Sequence, residues 1–478
     1  MNRKQRVLLV RSNYLEGQVG KLFSPPLGIL SLAGMIRRER PGRVDVQLID
    51  MGIERLTVEK MSAIIRSWEP DVLGISTLAI EDENLHNLGQ MAKETLPGIT
   101  VVVGGPHSTA YYDVIMKDRN LDYAVIGEGE LTLIDLLDHL YEGACPDEIP
   151  GVAYNRDGKV IFSGNRPFIE DLDSLPIPAW ELLDLMPYSR GANPNGFLAK
   201  SPYASIFSSR ACPYRCAYCH HIFGKKFRSQ TPERTLDEIE FLSRRFGVRE
   251  IHVMDDVFNL DVPRATDIME GVVERDIDMK FAFPNGVRGD ILTRNLIRSM
   301  ARAGTYCMNF AVESASPRIQ KLISKNINLP RLSEAVEWAY EEGIIPAGFF
   351  MFGFPTETIE EMEETVKFAC RSRMLKASFS CVVPFPRTKL HDLVKECYPD
   401  YNLSYDISAN LHFRSKMPYY QEITGIDVTA LQQRAWKEFY INPKRIWGIL
   451  SKTPKNKALM MIIWYSVIVN FLGLSRQD

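Results

Sequence analysis

The sequence carries little net charge. Its 57 lysines and arginines face 60 aspartates and glutamates, a net −3 over 478 residues. No field of one sign exists to attract nucleic acid, so no nucleic-acid partner is expected. Cysteine is scarce. Of eight, five are scattered (Cys145, Cys307, Cys370, Cys381, Cys397) and three are clustered. That is no disulfide framework, and a cluster of thiolates implies a reducing compartment. The apolar run Val7–Val10 is too short for a signal peptide, so the cytoplasm is the expected location. Long hydrophobic runs are also wanting. Ala458–Leu474 gives 17 residues without a charge. A spanning helix needs about 20 apolar residues, with about 17 as the lower limit. Seven basic residues and one acidic residue lie just before it, between Arg434 and Lys457. This pattern suits a helix in the membrane interface or one buried against the fold. Peripheral membrane contact through the C-terminus is therefore an expectation.

What is present is an ordinary apolar content, 45%, and enough length for two or three domains. The three clustered cysteines, Cys212, Cys216 and Cys219, sit in Ser209-Arg-Ala-Cys-Pro-Tyr-Arg-Cys-Ala-Tyr-Cys-His220. Thiolates at C-x3-C-x2-C spacing can hold three irons of a four-iron cluster and leave the fourth open. The alternative is a zinc site completed by His220 or His221. The motif, with aromatic Tyr218 before its last cysteine, resembles the signature of the radical S-adenosylmethionine (SAM) superfamily. The resemblance implies a 4Fe-4S cluster on the three cysteines and SAM on the open iron. It also implies cleavage of SAM to a 5′-deoxyadenosyl radical, with an electron from a flavodoxin- or ferredoxin-type donor.

From Tyr203 to about Asp400, strand and helix alternate. Strands are expected at 205–208, 250–254, 280–284, 307–311, 345–350 and 376–383, with helices between them. Six such units suit a partial TIM-like barrel, whose reacting groups gather at the carboxyl ends of the strands. In the family, Asp255 and Asp256 would meet the methionyl amine, and Glu313 with Ser314 the ribose. Tyr218 would lie beside adenine, with Met351 in Phe350-Met-Phe-Gly-Phe-Pro-Thr356 on the adenine wall. Asn285 and Arg288 follow the third strand, and Arg288 would join the SAM contacts. Taken singly, each carboxylate reads equally well as a loop charge or helix cap.

The first 145 residues also alternate. Five short apolar strands separated by helices imply a doubly wound parallel sheet, with ligands beyond the carboxyl ends of its strands. Three loops there, Pro25-Pro-Leu-Gly28, Gly104-Gly-Pro-His107 and Gly127-Glu-Gly-Glu130, resemble the cobalamin-binding domain that precedes many radical SAM domains. The likeness spans most of residues 5–142. It implies cobalamin contacts at Pro26, Leu27, Gly28, Gly104, Gly105, His107, Gly127, Glu128 and Gly129. The D-x-H-x-x-G motif that supplies an axial histidine in many other cobalamin proteins is absent. His107 is therefore read as a loop residue near the corrin, and no cobalt ligand is assigned.

The expected organisation is a cobalamin-binding domain (1–145), a Pro-rich linker or cap (146–200), a radical SAM domain (201–400) and a helical C-terminal region (401–478). The resemblance implies an enzyme that methylates an unactivated carbon of a small molecule; docking of the C-terminus at a bilayer would make that molecule lipid-like or a tetrapyrrole. Oxidative cyclisation without methyl transfer is the alternative within the family. A cobalamin sensor or scaffold is the alternative outside it, which an intact cysteine motif disfavours.

Overall fold

The computed structural model describes residues 3–13, 24–143, 146–190, 193–403 and 419–454. The chain forms two compact units. One comprises Met1–Ala192 with His221–Gln230, the other Asn193–His220 with Thr231–Asp478.

In the first unit, β1 (Gln5–Arg11), β2 (Val44–Asp50), β3 (Val72–Ser76), β4 (Thr100–Gly104) and β5 (Tyr123–Val125) run parallel in the order β2-β1-β3-β4-β5. Val7, Leu8, Leu9 and Val10 are all buried. Helices cover both faces of such a sheet, so its strands read as unbroken apolar runs. The strand order reverses between β1 and β3, and their carboxyl ends flank the crevice where doubly wound sheets bind ligands.

Two expectations need correction. Residues 146–200 are not only a linker: β6 (Val152–Arg156) and β7 (Lys159–Phe162) extend the sheet antiparallel beyond β5. Asp157 and Gly158, both at positive φ, turn the hairpin, and Asp-Gly is a strong hairpin signal. Residues 106–108 are not loop either. A helix, Pro106–Ile115, starts there. Pro at the first helical position sacrifices an N–H that has no partner there anyway.

In the second unit six parallel strands follow in sequence order: β8 (Tyr203–Ile206), β9 (Glu250–Val253), β10 (Lys280–Val287), β11 (Thr305–Glu313), β12 (Ile345–Phe352) and β13 (Lys376–Cys381). This is the expected open half-barrel. The helices Pro232–Phe246, Val262–Glu274, Arg294–Arg302, Leu329–Glu341 and Ile359–Arg371 separate the strands. Their first turns are capped by Thr231, Asp261, Thr293, Asn328 and Thr358. Each cap satisfies one orphan N–H and fixes where the helix starts. Phe281, Phe283, Phe310, Phe350 and Phe352 fill the core. At the strand N-termini, buried Glu250 accepts from the Ala199 and Lys200 amides at 2.7 Å each and from the Tyr306 hydroxyl at 2.7 Å. That end closes the barrel and leaves the opposite end for chemistry.

Helices Tyr419–Thr424, Val428–Tyr440 and Pro443–Lys452 follow. Arg445, one of the seven basic residues noted above, is buried. It donates to the carbonyls of Ala369, Cys370 and Ser372 at the end of the helix Ile359–Arg371. Its charge serves a helix C-terminus. The apolar stretch 458–474 lies outside the described residues. Among those described, no helix is long and apolar enough to cross a membrane.

Candidate active site and cofactor cradle

The three cysteines lie in the loop that follows β8, where a half-barrel gathers its reacting groups. The loop is pinned at its start, middle and end. At its start, buried Asp255 accepts from the Ser208 amide (2.7 Å), the Ser208 hydroxyl (2.7 Å) and the Ser209 hydroxyl (2.6 Å). In the middle, the Arg288 guanidinium lies 3.7 Å from the centre of the Tyr214 ring. Towards its end, the Ala217 amide donates to Ile323 O at 2.8 Å, and Ala217 O accepts from Leu390 at 2.8 Å. Ala211, just before the first cysteine, sits at φ 71°. Glu313, Ser324, Asn326 and Thr356 also have positive φ without being glycine. Such strain persists where surrounding contacts over-determine the backbone, typically at functional sites.

None of the three cysteines is in a disulfide. Within the Cys216–Cys219 pair, the Cys219 thiol donates to the Cys216 sulfur and pushes Cys216 down to about 6, while the same contact and burial push Cys219 up. Tyr218 follows the same loop. Burial holds its phenol well above the ordinary value, so it stays protonated and donates to Glu313 Oε1 at 3.2 Å. Lys325 approaches the same oxygen at 3.5 Å and lies 6.0 Å from the Tyr218 ring centre. Among the described residues, no three His, Cys, Asp or Glu converge on a single-ion position. Three thiols gathered on one loop are the donor type that an iron–sulfur cluster takes, so the donor set fits such a cluster.

The structure sorts the other expected SAM contacts. Tyr218 and Glu313 are brought together beside the cysteines, and Met351 is half-buried near the end of β12. Asp256 is exposed. Three residues turn elsewhere. Asp255 spends both oxygens on the cluster loop, and burial pushes its carboxyl up. Ser314 is fully buried, and its hydroxyl meets Thr365 at 3.4 Å. Arg288 pairs with Asp290 at 2.9 Å and donates to Lys325 O and Asn326 O, both at 3.3 Å. These contacts tie the three residues to the loops and helix around the site. Asn285 likewise donates to Met254 O and Asp255 O. Sequence reasoning missed Lys325. Its signal is faint: a lysine between Ser324 and Asn326, both forced to positive φ.

In the first unit the switch-point crevice has features of a cradle. Gly105 sits at φ 91°, and a Cβ there would come within 3.0 Å of Ser76 Oγ and 3.1 Å of Thr77 O. Gly127, at φ 78°, meets open space. Three buried polar atoms, Thr77 Oγ1, Glu81 Oε1 and His107 Nδ1, have no partner among the described residues. Burial pushes the Glu81 carboxyl up to about 7. Unmatched buried polar atoms just beyond the carboxyl ends of β3 and β4 are what a large polar cofactor would satisfy. His107 is only 4% exposed, and its Nε2 is tied to Asp82 at 2.5 Å. Glu128 is drawn into a buried ion pair with Arg228 at 2.8 Å. Pro26 and Leu27 lead into the helix Leu27–Glu39, Gly28 is exposed in its first turn, and Gly104 closes β4. Gly129 begins the helix after β5, where a Cβ would meet Leu32 Cδ2 at 3.2 Å.

A three-thiol loop above a parallel half-barrel, beside a phenol–carboxylate–ammonium group, defines a radical SAM enzyme. The Radical SAM superfamily model matches residues 206–369, and the B12 binding domain model matches residues 18–137. An uncharacterized methyltransferase of Pyrococcus horikoshii is 32% identical over 428 residues, 88% of each chain. The anaerobic magnesium-protoporphyrin IX monomethyl ester cyclase of Rubrivivax gelatinosus is 26% identical over 80% of this chain and 69% of its own. The solved radical SAM methyltransferase TsrM of Kitasatospora setae superposes with TM-score 0.68 at 18% identity, over 82% of this chain and 76% of its own. The chain belongs to the radical SAM superfamily, in the branch that also carries a B12-binding domain. Its cofactors are a 4Fe-4S cluster, SAM and cobalamin.

His107→Ala is expected to leave the electron paramagnetic resonance spectrum of bound cob(II)alamin unchanged. The buried ring, held by Asp82, is not free to turn toward a metal. Three-line nitrogen splitting in the native protein that vanishes in the variant would place His107 on cobalt instead.

Proposed function

We propose that the enzyme methylates an unactivated carbon of a small molecule. The observation that carries this reading is the pairing, in one chain, of the cysteine loop with a B12-binding domain. Support comes from the methyltransferase name of the 32%-identical relative. When bound, the cluster and SAM supply a hydrogen-abstracting radical and cobalamin supplies the methyl group, while the protein supplies position and dry walls. Cys212, Cys216 and Cys219 hold the cluster. Glu313, Tyr218 and Asp256 orient SAM. The helix start at Gly28 and the turns at Gly105 and Gly127 admit cobalamin. Each methylation by this route would consume two SAM and two electrons, one for the radical-forming cleavage and one to make the cobalamin ready for the next methyl group, from a flavodoxin- or ferredoxin-type donor. The names of two relatives, a hopanoid C-3 methylase and the porphyrin-ester cyclase, favour a lipid-like or tetrapyrrole substrate.

Incubation with methyl-labelled SAM, a low-potential reductant and candidate substrates tests this. Methyl transfer gives labelled product with both S-adenosylhomocysteine and 5′-deoxyadenosine. Deoxyadenosine alone, with a product two hydrogens lighter, would instead assign oxidative ring closure.

A further inference from the structure

After β12 the chain makes a tight loop, Gly353-Phe-Pro-Thr-Glu357, whose Phe354 ring lies 6.3 Å from that of Tyr218. Gly353 has φ 89°, and Thr356 has φ 61° without being glycine. Glu357 Oε2 gathers the loop by accepting from the Gly353 amide at 2.8 Å and the Phe354 amide at 3.0 Å. Burial pushes this carboxyl up to about 8, so near neutral pH it holds the loop without adding a charge to it. Three further contacts reach the loop from outside the barrel. The Tyr419 hydroxyl donates to Gly353 O at 2.6 Å. The Tyr420 hydroxyl donates to Glu357 O. The Thr356 amide donates to the Tyr398 hydroxyl at 2.9 Å. A Cβ on Gly353 would meet Tyr420 Cβ at 3.1 Å, so the tyrosines pack as well as bond. All three follow β13 in the chain, and none was singled out by its sequence pattern.

We propose that Tyr398, Tyr419 and Tyr420 form a clamp that positions the Gly353–Glu357 loop for SAM, making the C-terminal region a determinant of SAM affinity. The inference rests on the reading that this loop faces SAM. The tyrosines are positioning residues: they act through loop backbone atoms and need not touch SAM. A loop that holds Thr356 in a strained conformation relaxes when its outer hydrogen bonds go, and a backbone wall that drifts no longer fits its ligand.

The test uses the cluster-loaded full-length enzyme with Tyr398→Phe, Tyr419→Phe and Tyr420→Phe, singly and with the last two combined. Each change removes one oxygen and keeps the packed ring. Equilibrium dialysis of SAM without reductant should show Kd rising several-fold for each single change and more for the pair, as expected for hydrogen bonds of ordinary net strength. Amide exchange across residues 349–358 should speed up, while iron content and cluster absorption stay native. The SAM KM should rise with kcat at saturation kept within about twofold, the pattern of an interaction equally present in ground and transition states. An unchanged Kd in the combined variant, or an unchanged exchange rate in the loop, overturns the clamp. If the combined variant fails to fold, the single variants decide by the same two readings. A native enzyme that binds no SAM would overturn the underlying reading instead, which keeps the two failures distinct.

Discussion

Cys212→Ala, Cys216→Ala and Cys219→Ala are each expected to abolish the iron–sulfur cluster. Native protein purified without oxygen should carry about four irons per chain, the content of one cubane. Each variant should lose that iron with the brown colour, and SAM cleavage should fall to background. The loss should be complete rather than graded. Each thiolate is expected to serve a different iron, and no fourth cysteine lies within the motif to replace it. The fold should survive, because the loop is pinned by groups other than the cysteines. Asp255 holds Ser208 and Ser209, and Arg288 stacks on Tyr214. Circular dichroism and melting temperature should therefore stay close to native. Stoichiometric zinc in the native protein, with no iron–sulfur absorption, would instead return the motif to a tetrahedral metal site.

Much of this site is legible in the sequence because its signals are local. Cys212, Cys216 and Cys219 lie within eight residues, and the strands behind them alternate with helices in regular order. The side chains that hold the loop are not legible in the same way. Asp255 and Arg288 sit at the expected strand ends, and both make contacts to the cysteine loop that no local pattern announces. Position along the chain fixes which end of the barrel a residue reaches. It does not fix which of two nearby partners the side chain chooses, since that depends on loops far away in sequence. Ser314 shows the same limit: one residue beyond Glu313, it is buried against Thr365. The helix at Pro106 and the hairpin at Asp157-Gly158 did carry local signals, a proline at a helix start and a turn pair. Gly105 and Pro106 read as loop because their glycine-rich setting suits a ligand loop equally well.

Glu128→Gln is expected to destabilise the first unit by about 3 kcal/mol, the lower end of the range for breaking a buried ion pair. Glu128 and Arg228 have side chains only 4% and 2% exposed. One guanidinium nitrogen of Arg228 reaches both carboxylate oxygens, at 2.8 and 3.1 Å. The same nitrogen donates to Ile169 O at 2.6 Å, and its neighbour donates to Phe223 O at 3.0 Å. Glu128 in turn accepts from the Ile169 amide at 2.8 Å. The guanidinium stacks 4.9 Å from the Phe168 ring centre. The pair thus joins three stretches of the first unit: the Gly127–Gly129 loop, residues 168–169, and residues 223–228. Glutamine keeps the shape of Glu128 but removes its charge, which strands a cation away from water. Arg228→Met removes the other partner and strands the carboxylate. Each single change should lower the melting temperature of this unit by roughly 6–12 °C, at 2–4 °C per kcal/mol for a domain of this size. The double variant Glu128→Gln/Arg228→Met should lose less than the sum of the two, because neither buried charge is then left alone. Cobalamin retention through gel filtration should follow the same order, since Gly127 and Gly129 flank the lost carboxylate. Additive effects of the two changes, or a melting temperature unmoved by Glu128→Gln, would show that the pair does not brace the loop.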